Sequence, residues 1–395
     1  MTEPKEAWIT GIGIVSSLGE GLDAHWDALN ARRINVDEKR FAPYIVHPLA
    51  PISFDVQIPK KGDQRQMEGW QRIGTYAAGL ALDSAGVKGN REILGRMDMI
   101  VAAGGGERDI AVDMAILNAD AKGNSAPSFL NERLMNDLRP TLFLAQLSNL
   151  LAGNIAIVHG VSGTSRTFMG EEAASIDAAR IALARIASGQ SDIALVGAAH
   201  NGERPDLLVL YEFGDFNLTD KFAPVWARDK NSGFALGSAG VFLVVESKEH
   251  AQARGAKPYA KLTNVVADLA QRKQPGAVTK SLEALWSNLG ALTDNGNLIT
   301  GATGVEPVTS EEKAFLKRHP GYAVRATGTT FGHTLETQFP LGLALAALSI
   351  SRGALFPPND PTGLEVEMSA PPTQIVVVGT GHWQGEGMAL VEAIS

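Results

Sequence analysis

The chain reads as an α/β protein made of two similar halves around a largely buried sheet. Three observations predict this. Short β-branched runs alternate with helix-length Ala/Leu-rich stretches. At 395 residues the chain exceeds the usual size of one hydrophobic core. Two segments also read alike: the helix candidate Glu171–Ser188 is followed by Gly189 and the strand Asp-Ile-Ala-Leu-Val-Gly, and Phe339–Ser351 by a Gly/Pro loop and the strand Gln-Ile-Val-Val-Val-Gly. Each helix follows a strand and a Gly-containing turn, at Gly170 and at Gly332. The join is expected near Glu249–Lys257, giving halves 1–252 and 253–395.

Strands are predicted at Trp8–Ile14, Met99–Ala103, Ile193–Gly197, Val241–Glu246, Tyr259–Val266, Leu298–Gly301, Tyr322–Ala326 and Ile375–Gly379. Helices are predicted at Asp63–Ala85, Arg139–Leu151, Glu171–Ser188, Glu311–Arg318 and Phe339–Ser351. On the first of these, Met67, Trp70, Ala77 and Leu80 recur at three-, four- and seven-residue spacings, which predicts one buried face. The most apolar stretch, Leu142 to Val158, is interrupted by Gln146, Ser148, Asn149 and Asn154. It falls short of the roughly 20 apolar residues that a membrane span needs.

Composition excludes several classes. With 45% hydrophobic residues the chain is not disordered, and a net charge of −8 without a basic run lacks the footprint of a nucleic-acid binder. There is no cysteine, which removes disulfides, zinc–thiolate sites and every thiol nucleophile. The opening Met-Thr-Glu-Pro-Lys-Glu is polar where a signal peptide is basic and then apolar, so a cytoplasmic protein is expected. His159, His200 and His382 show no metal-ligand spacing, and neither a metal nor another cofactor is expected. Ser162, Ser165 and Ser175 lie outside any Gly-x-Ser-x-Gly elbow, and Gly104-Gly105-Gly106 lacks the Lys-Ser/Thr of a phosphate loop.

Four segments carry a resemblance. Trp8–Gly19 (WITGIGIVSSLG), Leu151–Gly160 (LAGNIAIVHG), Trp226–Gly237 (WARDKNSGFALG) with Ala239-Gly240, and Glu249–Lys257 occur in order along the chain. Together they resemble the elongating β-ketoacyl–acyl-carrier-protein synthases. The resemblance implies the thiolase fold: two similar halves in a five-layer α-β-α-β-α sandwich, assembled as a dimer. It also implies a cysteine nucleophile, two histidines and a lysine.

Carried over position by position, a match without gaps from Gly160 places Glu172 at the nucleophile. The first histidine position falls on Gly301, in a loop one residue longer than usual. The lysine position, five residues before the second histidine, falls on Gly328. The second histidine is kept as His333. Glutamate is a poor acyl acceptor, and loss of a catalytic nucleophile costs about 10⁴- to 10⁶-fold in rate. The resemblance therefore points to relatives called chain-length factors, which do no condensation and shape the acyl tunnel of an active partner.

The expected role is such a subunit in fatty-acid or related acyl-chain synthesis, paired with a cysteine-bearing synthase or with itself. The alternative is a repurposed acyl-carrier enzyme, such as a malonyl decarboxylase, a thioesterase or a residual 3-oxoacyl synthase, working through Glu172 and His333. A third reading is a non-catalytic acyl-binding protein. Plainer roles also exist: Glu172 suits any helix start, where a carboxylate gains roughly 0.3–1 kcal/mol from the helix dipole, and His333 suits a strand-to-helix turn.

Phe168, Met169, Phe213 and Trp383 are candidates to line an acyl tunnel. Trp383 is the one large apolar residue of the glycine-rich loop Gly379–Gly387, while Tyr211, Phe213 and Phe216 are read on a loop, Leu207–Asp220. Lys60, Lys61 and Arg65 resemble the basic helix start with which the family holds its acidic carrier protein, although Gln66 replaces one expected basic residue.

Overall fold

The computed structural model describes residues 3–123, 126–138, 140–228 and 232–394. Arg139 of one predicted helix, and Asp229, Lys230 and Asn231 of the Trp226–Gly237 motif, lie outside the described residues.

The first half contributes strands β1 (Ala7–Ser16), β2 (Asp98–Ala102), β3 (Ser165–Phe168), β4 (Ile193–His200) and β5 (Ala239–Ser247). The second contributes β6 (Ala260–Asp268), β7 (Asn297–Thr300), β8 (Ala323–Ala326), β9 (Gln374–Thr380) and β10 (Glu386–Glu392). They join in the order β8-β7-β9-β10-β6-β1-β5-β4-β2-β3. Counted within its own half, each set runs third, second, fourth, fifth, first. The third, second and fourth strands are parallel, and the fifth is antiparallel to both neighbours. The halves meet where Ala7–Ile9 of β1 runs antiparallel to Ala260–Leu262 of β6.

Six helices matter below: α1 (Lys61–Gln66), α2 (Gly69–Ser84), α3 (Glu171–Ala187), α4 (Pro205–Glu212), α5 (Lys248–Ala253) and α6 (Gln338–Arg352). Helices α3 and α6 form the middle layer. Ala178, Ala182 and Ile186 of α3 share one buried cluster with Leu341, Leu343 and Leu345 of α6 and with Val241, Val377 and Ile9 of the sheet. Each fully buried Leu or Ile there contributes about 1.5–3 kcal/mol. Helix α2 covers the outer face of the first half, with Trp70, Ile73 and Ala77 against Met99, Leu195 and Phe242. It approaches so closely that a Cβ at Gly13 would overlap the Ala77 carbonyl. The outer face of the second half is covered by Ala277–Asn288 and Val308–Leu316 through Val278, Leu282 and Phe315. The result is the five-layer α/β sandwich of the thiolase fold.

Three expectations are corrected. The helix predicted over Asp63–Ala85 is broken, because Met67 takes an extended backbone (φ −95°, ψ 139°) and Glu68 starts α2 with its N–H donating to the Gln71 side chain at 3.1 Å. The helix predicted over Arg139–Leu151 is instead the pair Pro140–Ala145 and Leu150–His159. Part of the loop read at Leu207–Asp220 is helical, since Pro205 at the first turn of α4 presets the helical φ.

Candidate functional site

Both middle-layer helices begin at the same place. Strand β3 ends at Phe168, and Gly170 (φ 135°) and Glu171 (φ 54°) then turn the chain into α3. A left-handed φ at a residue other than glycine is sparsely populated, and such positions cluster at functional sites. This turn sends Glu172 inward, 1% exposed. From the other half, Gly332 (φ 74°) turns the chain after β8 and directs His333 at the same point.

One carboxylate oxygen, Glu172 Oε1, receives three donors. His333 Nε2 lies 2.6 Å away, His382 Nδ1 2.9 Å and the His382 backbone N–H 3.1 Å. Burial alone would push the Glu172 carboxyl up. The His382 imidazolium beside it and the hydrogen bonds from His333 and His382 outweigh burial, and hold it well below the usual carboxylate range. The histidines split in opposite directions. For His382, burial pulls the ring down but the adjacent Glu172 carboxylate raises it overall, whereas for His333 burial dominates and lowers it. Two carboxylates favour the charged form of His382, whose Nε2 also lies 3.9 Å from Glu171, over that of His333. The site is therefore a buried Glu172 carboxylate hydrogen-bonded by both rings, with positive charge favoured on His382 over His333.

Aromatic rings enclose it. Phe234 stacks on His333 at 4.7 Å between centroids, and Phe216 meets His382 edge-on at 4.8 Å. Donor atoms of Glu172, His333 and His382 lie within 4.8 Å of one another, a donor set able to ligate a divalent metal. Spacing along the chain, which suggests no metal at His382, does not show this spatial cluster. Metal bonds of about 2.1 Å would nevertheless hold the donor atoms roughly 3 Å or more apart. The 2.6 Å contact is a hydrogen bond.

Gly301 reaches this point through Gln338, whereas Gly328 lies against Ala302 and Val225. A Cβ at Gly301 would overlap the Gln338 side chain, whose Nε2 donates to Gly301 O at 2.5 Å and lies 3.4 Å from His333 Nδ1. A Cβ at Gly328 would overlap the Ala302 carbonyl.

The tunnel candidates separate. Met169 lines a cavity of about 520 Å³ beside the start of α3, together with Gly170, Glu171 and Tyr211. Phe168 instead packs half-buried against the middle layer, and Phe213 projects to solvent at 88% exposure. Trp383 donates from Nε1 to Glu171 Oε2, while Tyr211 donates to Glu171 Oε1 at 3.0 Å. Burial and the Glu171 carboxylate both push the Tyr211 hydroxyl up. Of the docking candidates, Lys61 pairs with Asp55 at 2.5 Å, and Lys60, Lys61 and Arg65 are all exposed. Sequence reasoning missed His382, Glu171 and Gln338 as site residues; the one signal was the position of His382 in the glycine-rich loop, beside Trp383.

No helix among the described residues is long and apolar enough to cross a membrane. The family description "Beta-ketoacyl synthase, N-terminal domain" matches residues 5–251. The 3-oxoacyl-[acyl-carrier-protein] synthase 2 of Vibrio cholerae serotype O1 is 26% identical over 267 residues, 64% of this chain. The chain spans 61% of that relative's length. The tetracenomycin polyketide synthase ketoacyl synthase beta subunit of Streptomyces glaucescens is 26% identical over 382 residues, 92% of this chain and 90% of its own. The solved ishigamide ketosynthase/chain length factor superposes over 99% of this chain and 100% of its own, with a TM-score of 0.82 at 20% identity. Repeated half-sheets, a site built where both middle helices begin and a family match over more than half of the sequence lead to one identification: this chain belongs to the β-ketoacyl synthase family.

Proposed function

We propose that this chain is a non-condensing, chain-length-factor-like subunit of acyl-chain or polyketide synthesis that pairs with a cysteine-bearing β-ketoacyl synthase. One observation carries the reading. The residue at the nucleophile position, Glu172, is a buried carboxylate held by His333 and His382, neither a useful nucleophile nor open to a thioester. The space at Gly328 supports it, since a side chain there would meet the Ala302 backbone carbonyl, and at Gly301 the Gln338 side chain fills the space that the family's first histidine would take.

Pairing is supported by the surface. Strand β3 ends the sheet, and the segment leading to it exposes Leu117, Met135, Phe143 and Ile157. The name of the ishigamide structure, a ketosynthase with its chain length factor, agrees with such a partner. Lys60, Lys61 and Arg65 supply a small basic surface for an acyl carrier protein, and Met169 places the acyl chain in the adjoining cavity. Division into halves 1–252 and 253–395 and a cytoplasmic location belong to this proposal. A repurposed hydrolase or decarboxylase is disfavoured, because a carboxylate held well below its usual range is a weak base.

The test is an assay with malonyl- and acyl-carrier protein, run on this protein alone and then with the cysteine-bearing synthase of the same organism. The expected result is product only in the mixture, with the two chains co-eluting as a heterodimer. Turnover by the protein alone, abolished in Glu172→Ala, would overturn the proposal.

A further inference from the structure

The cavity of about 520 Å³ beside the site has a polar floor that the hydrogen bonds of the fold do not complete. His200, at the end of β4, and Glu336, just before α6, both line it, at 5% and 3% exposure. His200 Nδ1 and Glu336 Oε2 lie 3.7 Å apart, beyond hydrogen-bond length. His200 Nε2 is buried with no hydrogen-bond partner among the described residues. Buried polar groups are nearly always satisfied, so a pair like this at the base of a cavity marks where something else completes it. Gly104, after β2, leaves open the space that Glu336 Oε1 occupies at the cavity.

The remaining walls narrow the chemistry. Trp70, Met169, Leu207 and Leu210 are apolar, while Asn201 donates to Glu107 and Glu171 accepts from Tyr211 and Trp383. The cations of the lining are already committed, Arg204 to Asp206 and Arg108 to Asp113, each at 2.5 Å. An anionic group would therefore meet the Glu336 carboxylate without a free cation to offset it. A hydroxyl, which both donates and accepts, can donate to Glu336 and serves His200 in either ring tautomer. The volume lies within the range of small-molecule sites.

We propose that this cavity selects a chain bearing a hydroxyl group, held between His200 and Glu336. That the ligand is an acyl chain rests on the proposed function; that it is hydroxylated rests on these two side chains. A site built to hydrogen-bond a hydroxyl discriminates strongly against the analogue that lacks it.

The experiment is equilibrium binding of the full-length protein to N-acetylcysteamine thioesters of decanoic acid, of a panel of hydroxydecanoic positional isomers, and of an aminodecanoic acid. At least one hydroxy isomer is expected to bind about tenfold tighter than the unsubstituted chain. His200→Leu and Glu336→Gln should bring that ratio to within about twofold. Equal affinity for all chains would assign the floor to water and overturn the inference, as would tighter binding of the amine. Because the wild-type comparison needs no variant, a substitution that fails to fold leaves the test intact. A protein that pairs with its synthase but shows no hydroxyl preference defeats this inference alone. One that binds no chain at all counts against both.

Discussion

The two halves share a strand order but not a surface. Between the second and third strands the second half has only residues 301–322, with one helix, Val308–Leu316, packed by Val308, Phe315 and Leu316. At the same point the first half carries residues 103–164, with helices Ile110–Ala121, Pro127–Asn136, Pro140–Ala145 and Leu150–His159. That excursion leaves Leu117 62%, Met135 82% and Phe143 73% exposed. The middle helices differ as well: α6 is buried at every position from Gln338 to Ile350, whereas α3 alternates buried and half-exposed residues. One duplicated framework thus serves two ends, the second half as packed core and the first as outward-facing surface, with the carboxylate–histidine site at their junction.

The largest expected effect exploits where the buried histidines lie. His25 and His159 are pushed down to about 4 and His47 to about 3, chiefly by burial, and all three belong to residues 1–252. Their folded pKa values lie below the unfolded value, so the unfolded chain binds more protons as pH falls below about 6.5. Their contribution is complete above that pH and is lost on acidification towards pH 4, at about 4 kcal/mol per pH unit when all three titrate together. At the junction the two histidines oppose each other, since His333 is lowered by burial like these three. His382 is raised, so its contribution is full in acid and lost as pH rises through its folded pKa, while Glu172 keeps its charge below the ordinary carboxylate range. Limited proteolysis near pH 5 should therefore cut within the first half while the second stays protected. Simultaneous cleavage of both would erase the contrast.

Next in size is the junction itself. Glu172→Ala removes the carboxylate that accepts from both buried rings and favours the charged form of His382, and breaking a buried pair of this kind costs about 3–5 kcal/mol. Glu172→Gln keeps the shape and an acceptor oxygen and should cost less. The rank order, read from urea unfolding at neutral pH, distinguishes an ion pair from simple packing; equal losses would mean that charge does not matter there.

Legibility follows the same division. Strands β4 and β9 were readable because both faces are buried and their residues form apolar runs; β3, Ser-Arg-Thr-Phe, was not, because an edge strand half open to solvent needs no such run. Helix α6 announced itself through Phe339, Leu341, Leu343 and Leu345. The helix Ile110–Ala121 did not, since its Met114 and Leu117 face outward and leave no apolar-versus-polar pattern to follow. At the site, Glu172 and His333 were found by motif although 161 residues separate them. His382, a further 49 residues along the chain, sits among glycines whose spacing says nothing of the carboxylate that the fold brings to it.

The smallest effect tests whether the outward surface of the first half is a partner face. Phe143→Glu places a charge on exposed apolar surface, so the isolated chain should change stability by no more than about 0.5 kcal/mol. Its affinity for the cysteine-bearing synthase should fall about five- to tenfold, near 1 kcal/mol, in a sedimentation or surface-binding titration. Val366→Glu, at an exposed apolar position of the second half (47% exposed), is the matched control and should leave pairing unchanged. Both variants introduce the same charge on the same fold, so a difference between them isolates location from electrostatics. If Val366→Glu weakens pairing as much as Phe143→Glu, the apolar excursion is not the partner face, and the asymmetry between the halves would need another explanation.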